Sequence, residues 1–279
     1  NGGDGYIPPP EQHLFGGYNT WAARSAGLEV MAEPKITQTA ISLLEAVAKA
    51  PRKPWALSAG AATKAISALK PFAYWRLNEF CGPLAADETK SGRDAAFESH
   101  VTYYLDGPNS TAFCEGEVNR APHFVGGRLC SDLAGVGENY SVSMWIWNGL
   151  PNDAREVNGW FYSRDHNHGL SSFGEHLGIG GTSGHTGKLT FTSDKTIGGK
   201  TEIPRWTWQH VVLVREGEKV RVYLNGDLEI EGMANSCSIP SAFFGGRSDN
   251  HSNWEGRLDE IAVFDRALSA DEITKLTAK

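Results

Sequence analysis

The chain has 279 residues, of which 40% are hydrophobic and 32 are glycines, and its formal net charge is −7 at pH 7. This composition supports a folded core with many turns and excludes global disorder. Charges of both signs are interspersed, so the chain offers no basic surface for nucleic acid. No apolar run approaches the roughly 20 residues that span a bilayer, so we expect no membrane insertion.

The first 70 residues are predicted to form an extended and helical segment. Residues 1–34 contain three consecutive prolines and a Gly-Gly pair without a sustained period, which is typical of irregular backbone. Apolar residues recur at helical spacing over 36–47 until Pro51, and the alanine-rich stretch 61–69 predicts a shorter helix. A segment of this size cannot bury a large hydrophobic core by itself. We therefore expect the segment either to dock on the larger domain or to link that domain to another one.

From residue 71 onward the pattern changes to short β-type runs separated by Gly, Asn and Asp. In residues 140–147 apolar side chains alternate with serines and tryptophans, which predicts one core face and one partly aromatic, exposed face. Residues 220–230 form the clearest hairpin, because Asn225-Gly226 suits the two positive-φ positions of a type I′ turn. Many short strands with little helix between them predict an all-β antiparallel sandwich over residues 71–279.

The chain closes with a predicted short helix. Ser269 and Glu272 have the spacing of a capping box, in which the hydroxyl and the carboxylate each accept a hydrogen bond from a free backbone N–H. Ile273 and Leu276 would then pin this helix to the sandwich.

Four cysteines are present, at positions 81, 114, 130 and 237, and none forms a C-x-x-C pair. The spacing gives no support for a zinc ribbon or a thioredoxin-type site. The spacing of the four cysteines is compatible both with disulfide bridges in an exported protein and with buried free thiols.

Six segments in this order resemble the laminin-G-like, concanavalin A-like lectin/glucanase superfamily over residues 72–279. They are Tyr74–Glu79, Asp87–Gly92, Ser141–Trp147, Trp208–Val214, Val222–Gly226 and Gly256–Ile273. The resemblance implies a jelly roll of two antiparallel sheets, used as a module of an exported bacterial protein that is secreted, periplasmic or on the cell surface. It also implies binding of carbohydrate or protein, and often a structural calcium ion.

Two aspartates are the candidate metal ligands. Asp259 shares strand parity with Ile261 and Val263, so without a bulge its carboxylate points to the apolar side, where it needs a metal, an arginine or several donors. Calcium prefers oxygen ligands, and the resemblance implies that Asp87 lies close to the closing strand. The alternatives are a salt bridge to an arginine for Asp259 and a solvated turn for Asp87.

Two loops carry the residue types that a glycan site needs, namely an aromatic plate and a few polar groups. The candidate ligand-binding residues are Arg164, Asp165 and His166 in the first loop and Arg247, Asp249, Asn250 and Trp254 in the second. Trp254 is the expected stacking residue. Alternatively, Trp254 plugs the edge of the sandwich and the polar residues only solvate the loops.

No catalytic constellation is predicted. Retaining glycosidases of this fold would need carboxylates spaced E-x-D-x-x-E on one strand, and that string does not occur. Asp259 and Glu260 are adjacent, so strand alternation places them on opposite faces. The glycine-rich run 178–181 lacks the context of a phosphate loop and is interpreted as a turn.

We therefore expect a non-catalytic binding module whose partner is a glycan or a cell-envelope polymer. The alternative is a structural or protein-interaction module, and a glycoside hydrolase is the least favoured hypothesis.

Overall fold

In a computed structural model the structure describes residues 5–21, 27–49 and 57–277. The chain divides into two compact units, Asn1–Ala56 and Leu57–Lys279. The first unit contains helix α2 (Ala32–Lys49), which confirms the helical periodicity of residues 36–47. It also contains the short helix α1 (Pro10–Phe15), within the stretch 1–34 that was predicted to be irregular. Within the described ranges, no helix is both long and apolar enough to span a membrane.

The second unit holds three further helices and sixteen strands. The helices are α3 (Ala61–Ala68), α4 (Ser110–Cys114) and α5 (Ala270–Leu276). The strands are β1 (Ala73–Trp75), β2 (Leu84–Ala85), β3 (Ala95–Phe97), β4 (Val101–Asp106), β5 (Arg120–Val125), β6 (Leu129–Asp132), β7 (Asn139–Asn148), β8 (Val157–Arg164), β9 (Glu175–Gly181), β10 (Gly184–Thr192), β11 (Thr196–Glu202), β12 (Trp208–Glu216), β13 (Lys219–Leu224), β14 (Asp227–Met233), β15 (Ser241–Phe244) and β16 (Glu255–Phe264).

The strands form two antiparallel sheets, which confirms the predicted all-β sandwich. The first sheet has the order β14-β13-β12-β7-β16-β5-β4, with β1 paired to β16. The second sheet has the order β11-β10-β9-β8-β15-β6-β3-β2. Half of the neighbouring strand pairs join strands that are not consecutive in sequence, so the chain crosses repeatedly between the two sheets as a jelly roll requires.

The main core lies between the sheets, where Val142, Met144 and Ile146 of β7 meet residues such as Phe161 and Leu177 of the second sheet. Their alternation is the one that the sequence predicts.

A second apolar layer covers the outer face of the first sheet. There Trp145 and Phe264 pack with Ile66 of α3 and Ile273 of α5. The face of β7 that was expected to be exposed is therefore buried at Trp145, because helices cover it. The compact unit that contains the sandwich begins at Leu57, so helix α3 belongs to it.

Two local predictions are confirmed in detail. Asn225 and Gly226 have φ values of 52° and 94°, as the type I′ hairpin requires. At α5 the backbone N–H of Glu272 donates to the hydroxyl of Ser269 at 3.3 Å, and the N–H of Ser269 donates to the Glu272 carboxylate at 2.9 Å.

All four cysteines are free thiols.

A β-bulge in β16 changes the expected direction of two acidic side chains. The register shifts between Asp259 and Ala262, and Glu260 has a φ of 50°. Asp259 consequently pairs with Trp145 and faces the outer layer rather than the side of Ile261. Glu260 bonds to the Tyr74 hydroxyl in that same layer. The strand-parity expectations for both carboxylates are thus corrected, because a bulge inserts one residue into the alternation.

Candidate ligand-binding groove

A groove of about 370 Å³ lies on the outer face of the second sheet, across β8 to β11. This volume falls in the range of sites that bind small ligands. The residues that line it are Val157, Trp160, Gly180, Ser183, Gly184, His185, Thr190, Thr192 and Thr196.

Strand register brings the central residues of the groove into one row. Trp160 of β8 pairs with Gly178 of β9, Gly178 pairs with Thr190 of β10, and Thr190 pairs with Gly198 of β11. Paired residues on neighbouring strands point to the same face. The row therefore crosses four strands and contains, in order, an indole, a glycine, a threonine hydroxyl and a second glycine.

The two glycines of this row make room for aromatic rings. A β-carbon on Gly178 would lie 2.9 Å from Cε3 of Trp160, and one on Gly198 would lie 2.0 Å from Nδ1 of His185. Both distances are shorter than real contacts allow, so each ring lies directly over a glycine. The two rings flank a floor of threonine hydroxyls.

The indole N–H of Trp160, one of the residues that line the groove, is a buried hydrogen-bond donor. The side chain of Trp160 is only 4% exposed, and its indole N–H has no hydrogen-bond partner among the described residues. A buried donor without a partner costs about 1–3 kcal/mol. Native structures rarely leave such a group unsatisfied, so it indicates a place where a ligand oxygen or water accepts.

The side chains next to Trp160 form a fixed polar frame. His176 lies with its ring centroid 5.9 Å from that of Trp160, and its Nδ1 is 2.8 Å from the Ser163 hydroxyl. Burial, and next the charge of Arg247, lower the pKa of His176 to about 4, so this ring is neutral at pH 7. The guanidinium carbon of Arg247 is 5.7 Å from the Trp160 ring centroid.

Arg247 and Asp249 of the second predicted loop lie beside this frame, whereas Asn250 lies away from it. Arg247 donates to both carboxylate oxygens of Asp249, at 2.8 Å and 3.0 Å. Asn250 lines a separate open cavity of about 530 Å³, together with Glu98 and His100. The structure thus brings Arg247 close to the groove and leaves Asn250 outside it.

The first predicted loop is held together by its own polar groups. Arg164 is fully buried and donates to the carbonyl oxygens of Val136, Gly137 and Ile239. Asp165, also fully buried, accepts from the backbone N–H of His166 and from the backbone and hydroxyl of Ser171. Of the three predicted residues in this loop, only His166 is exposed to solvent.

Trp254 does not have the accessible ring that a stacking residue needs. It is fully buried in the core between the sheets, where it packs edge-on against Phe161 with ring centroids 5.4 Å apart. This position agrees with the alternative interpretation, in which Trp254 plugs the sandwich. Of the two aromatic side chains that line the groove, His185 is exposed to solvent, whereas Trp160 is buried.

The two candidate metal ligands belong to separate hydrogen-bond networks. The carboxylate of Asp87 accepts from the backbone N–H of Tyr74 at 3.1 Å and from the hydroxyls of Thr89 and Ser91 at 2.6 Å and 2.7 Å. Burial works to raise the pKa of Asp87, but hydrogen bonds from Thr89 and Ser91 outweigh it and the pKa lies below its ordinary value. This aspartate is therefore already satisfied as an anion.

Asp259 is the less satisfied of the two. One oxygen accepts from the Asn119 amide at 2.7 Å, whereas the other has no partner among the described residues. Burial, and next the charge of Glu260, raise the pKa of Asp259 well above its usual range. Glu260 itself lies 3.4 Å from Nε of Arg76, and burial raises its pKa to about 7.

This donor set does not fit a calcium ion shared by Asp87 and Asp259. Calcium takes six to eight oxygen ligands. The described part of the chain contains no group of three or more His, Cys, Asp or Glu residues that could hold a metal. The calcium prediction therefore depends on the unpaired oxygen of Asp259 alone.

A family model described as the concanavalin A-like lectin/glucanases superfamily matches residues 129–274, more than half of the chain. The chain belongs to this superfamily. No curated protein matches the sequence.

Several solved structures share the fold of this superfamily member. Domain 4 of AbnA, a GH43 extracellular arabinanase from Geobacillus stearothermophilus solved in complex with arabinotriose, has a TM-score of 0.56 at 20% identity, covering 75% of this chain and 98% of that domain. Trypanosoma rangeli sialidase has a TM-score of 0.54 at 14% identity, covering 89% and 38%. The binding domain of Paraclostridial Mosquitocidal Protein 1 has a TM-score of 0.54 at 12% identity, covering 74% and 51%. These likenesses concern the fold.

The groove of this concanavalin A-like domain was not predicted from the sequence. The run 178–181 was interpreted as a turn, whereas it lies inside strand β9. Gly178 and Gly180 alternate there with Leu177 and Ile179, so one face of the strand packs in the core and the other is bare. This period-two alternation of glycine and aliphatic residues is the pattern that could have located the groove.

Proposed function

We propose that this chain is a non-catalytic carbohydrate-binding module and that the groove on the second sheet holds the sugar. The observation that carries the proposal is the unpaired, buried indole N–H of Trp160 in the wall of a groove lined with hydroxyl groups. A sugar hydroxyl is an acceptor of the right kind for that donor.

The rest of the groove matches the mixed character of a sugar ring. The exposed ring of His185 offers an apolar surface for C–H groups, while Thr190, Thr192 and Thr196 offer hydroxyls that both donate and accept. The similarity in fold to an arabinanase domain that was solved with arabinotriose supports the same class of ligand.

Binding without hydrolysis is supported by the distribution of carboxylates. A glycosidase needs two carboxyl groups on either side of the scissile bond, about 5–10 Å apart. None of the nine described residues that line the groove carries a carboxylate. Asp259 and Glu260, the adjacent acidic pair, are fully buried behind the first sheet.

We further propose that the module belongs to an exported bacterial protein that is secreted, periplasmic or on the cell surface. Its partner would be a glycan or a cell-surface polymer. The extracellular origin of the similar arabinanase domain supports this setting. A glycan partner in that setting would be an external polysaccharide or an envelope polymer.

The test is a glycan-array screen of the purified chain with and without calcium, followed by titration of the best ligand into three variants. Trp160→Phe keeps an aromatic ring but loses the N–H, and Thr190→Val replaces the central hydroxyl with a methyl group. Each loses one hydrogen bond, so we expect binding to weaken about two- to tenfold.

Thr102→Val is the matched control, since Thr102 is exposed on the first sheet and should leave affinity unchanged. Equal affinity in all three variants would remove the groove from the proposal. An array without any bound glycan would favour the protein-interaction hypothesis, and ligand cleavage would favour the glycosidase.

A further inference from the structure

A second polar and aromatic surface lies on the outer face of the first sheet, beyond the helices. Trp208 of β12 pairs with Trp147 of β7, Trp147 pairs with Arg257 of β16, and Arg257 pairs with His123 of β5. The neighbouring loop between β11 and β12 adds Arg205 and Trp206. These six residues are called the tryptophan–arginine strip.

Trp206 is the most exposed part of the strip. Its side chain is 62% exposed, and its backbone has a φ of 59°, a conformation that bulky residues rarely adopt. The backbone N–H of Trp206 donates to the Asn148 carbonyl at 2.9 Å and fixes this geometry. Strained backbone that holds a large apolar ring in water is typical of a binding surface.

Each arginine of the strip is stacked on a tryptophan. The guanidinium carbon of Arg257 lies 4.7 Å from the ring centroid of Trp147, and that of Arg205 lies 4.2 Å from the ring centroid of Trp206. Arg257 donates to the backbone carbonyl of Asp106 at 2.7 Å, and Arg205 donates to the carbonyl of Gly149 at 2.8 Å. The stacking orients both cations and leaves other N–H groups for a ligand.

Neither arginine has an acidic partner. Within the described residues, no carboxylate lies within 4 Å of the guanidinium nitrogens of Arg205 or Arg257, whereas the carboxylate of Asp106 pairs with Arg120 at 2.7 Å. Glu255 lies two residues before Arg257 at the border of the strip, where its charge acts on His123, and it forms no ion pair within the described part of the chain. Half-buried cations without a counterion are costly. Burial accordingly lowers the pKa of Arg257, although the charge of Asp106 opposes this effect.

We propose that the tryptophan–arginine strip binds an acidic polysaccharide. The carboxylate or sulfate groups of the polymer would pair with Arg205 and Arg257, and a sugar ring would lie on the exposed face of Trp206. Charge-assisted hydrogen bonds to planar guanidinium groups are strong and directional, which suits such anions. Recognition of a nucleic acid needs a broad basic surface, whereas the strip presents two arginines. The strip lies on the opposite sheet from the groove, so this site is independent of the proposed sugar groove.

The experiment uses the full chain and four defined probes. Oligogalacturonate carries carboxylates, dextran sulfate carries sulfates, dextran is the neutral polymer, and oligothymidylate represents single-stranded nucleic acid. We expect binding to at least one acidic polysaccharide and none to dextran, with an affinity that falls as salt rises from 50 to 300 mM, since exposed ion pairs are screened (roughly an 8–10 Å Debye length near 0.1–0.15 M).

Arg257→Gln and Arg205→Gln should each weaken this binding about tenfold, because each loses a charge-assisted hydrogen bond. Trp206→Ala should weaken it as well. Arg221→Gln is the matched control, since Arg221 lies on the first sheet and is already paired with Glu216. The groove variant Trp160→Phe should bind the acidic probe normally.

Equal binding of dextran would overturn the proposal, and so would an equal loss in Arg221→Gln, which would indicate nonspecific charge attraction. Tighter binding of oligothymidylate than of both acidic polysaccharides would replace the proposal with nucleic-acid recognition. Urea unfolding of each variant checks the fold. If Arg257→Gln does not fold, Arg205→Gln and Trp206→Ala still decide the question, because both positions lie in a loop.

Discussion

At the scale of single residues, burial controls the charge of the acidic pair in the closing strand. Asp259 and Glu260 are both fully buried, and burial is the largest cause of the raised pKa of each. Glu260 has Arg76 and the Tyr74 hydroxyl as partners, whereas one oxygen of Asp259 has none among the described residues. Asp259 is therefore the residue whose replacement tests the local electrostatics and the calcium prediction together.

We predict that Asp259→Asn stabilises the protein relative to wild type at neutral pH. The folded state holds a proton on Asp259 that the unfolded chain releases above its ordinary pKa of about 3.9. The contribution of this carboxyl group to stability is thus fully present below pH 3.9 and is lost as pH rises through the raised folded pKa. An amide keeps the hydrogen bond from Asn119 and does not titrate.

Urea unfolding of both proteins between pH 4 and pH 8, with and without calcium, measures this difference. The advantage of the variant should grow as pH rises. If calcium instead raises the stability of wild type at pH 7 but not that of Asp259→Asn, then Asp259 binds the ion as an anion and the electrostatic prediction is wrong.

At the scale of secondary structure elements, alternating glycines define the groove. Strand β9 presents Gly178 and Gly180 on its outer face, and β11 presents Gly198 on the same face. The missing side chains allow the rings of Trp160 and His185 to fold down onto the sheet. A change at one of these glycines should consequently move a ring without changing the strand order.

We predict that Gly198→Ala weakens glycan binding and leaves the fold intact. The added methyl group would overlap the ring of His185, which is an exposed side chain at the groove and can rotate away. The displaced ring would then enter the groove or leave its wall incomplete. The φ of Gly198 lies outside the left-handed region, so alanine adds no backbone strain.

Titration of the array ligand, together with the thermal midpoint, measures this effect. Gly137→Ala is the matched control, since a β-carbon there meets no atom within 4 Å and lies outside the groove. Unchanged affinity in Gly198→Ala would show that His185 does not contribute to binding.

At the scale of the whole molecule, the position of the boundary between the two units determines whether helix α3 is part of the folded sandwich unit. The compact unit begins at Leu57, and α3 contributes the buried residues Ala62 and Ile66 to the layer over the first sheet. The β-type pattern of the sequence begins at residue 71, which predicts a boundary after residue 70. The two boundaries differ by one helix.

We predict that the fragment 71–279 is less stable than the fragment 57–279 by several kcal/mol. Removal of α3 uncovers apolar residues such as Tyr74 and Phe264, and Ile66 by itself accounts for about 1.5–3 kcal/mol of buried surface. Thermal unfolding of the two fragments and the full chain provides the comparison. Equal midpoints for both fragments would mean that α3 is dispensable.

The sequence by itself determined the class of fold, the hairpin at Asn225-Gly226 and the cap of α5. These features depend on local patterns, namely strand alternation, turn residues and the spacing of Ser269 and Glu272. It also indicated the superfamily to which the chain belongs, because the order of several short segments carries that information.

Only the tertiary structure decided which side chains meet. The groove depends on the pairing of β8 to β11, and Trp254, the aromatic residue expected to stack on a sugar, is enclosed between the sheets. The bulge at Glu260 turned Asp259 away from its predicted side, since one inserted residue reverses a period-two pattern. Strand register and inter-sheet packing are set by contacts between residues far apart in sequence, and single-strand patterns do not contain them.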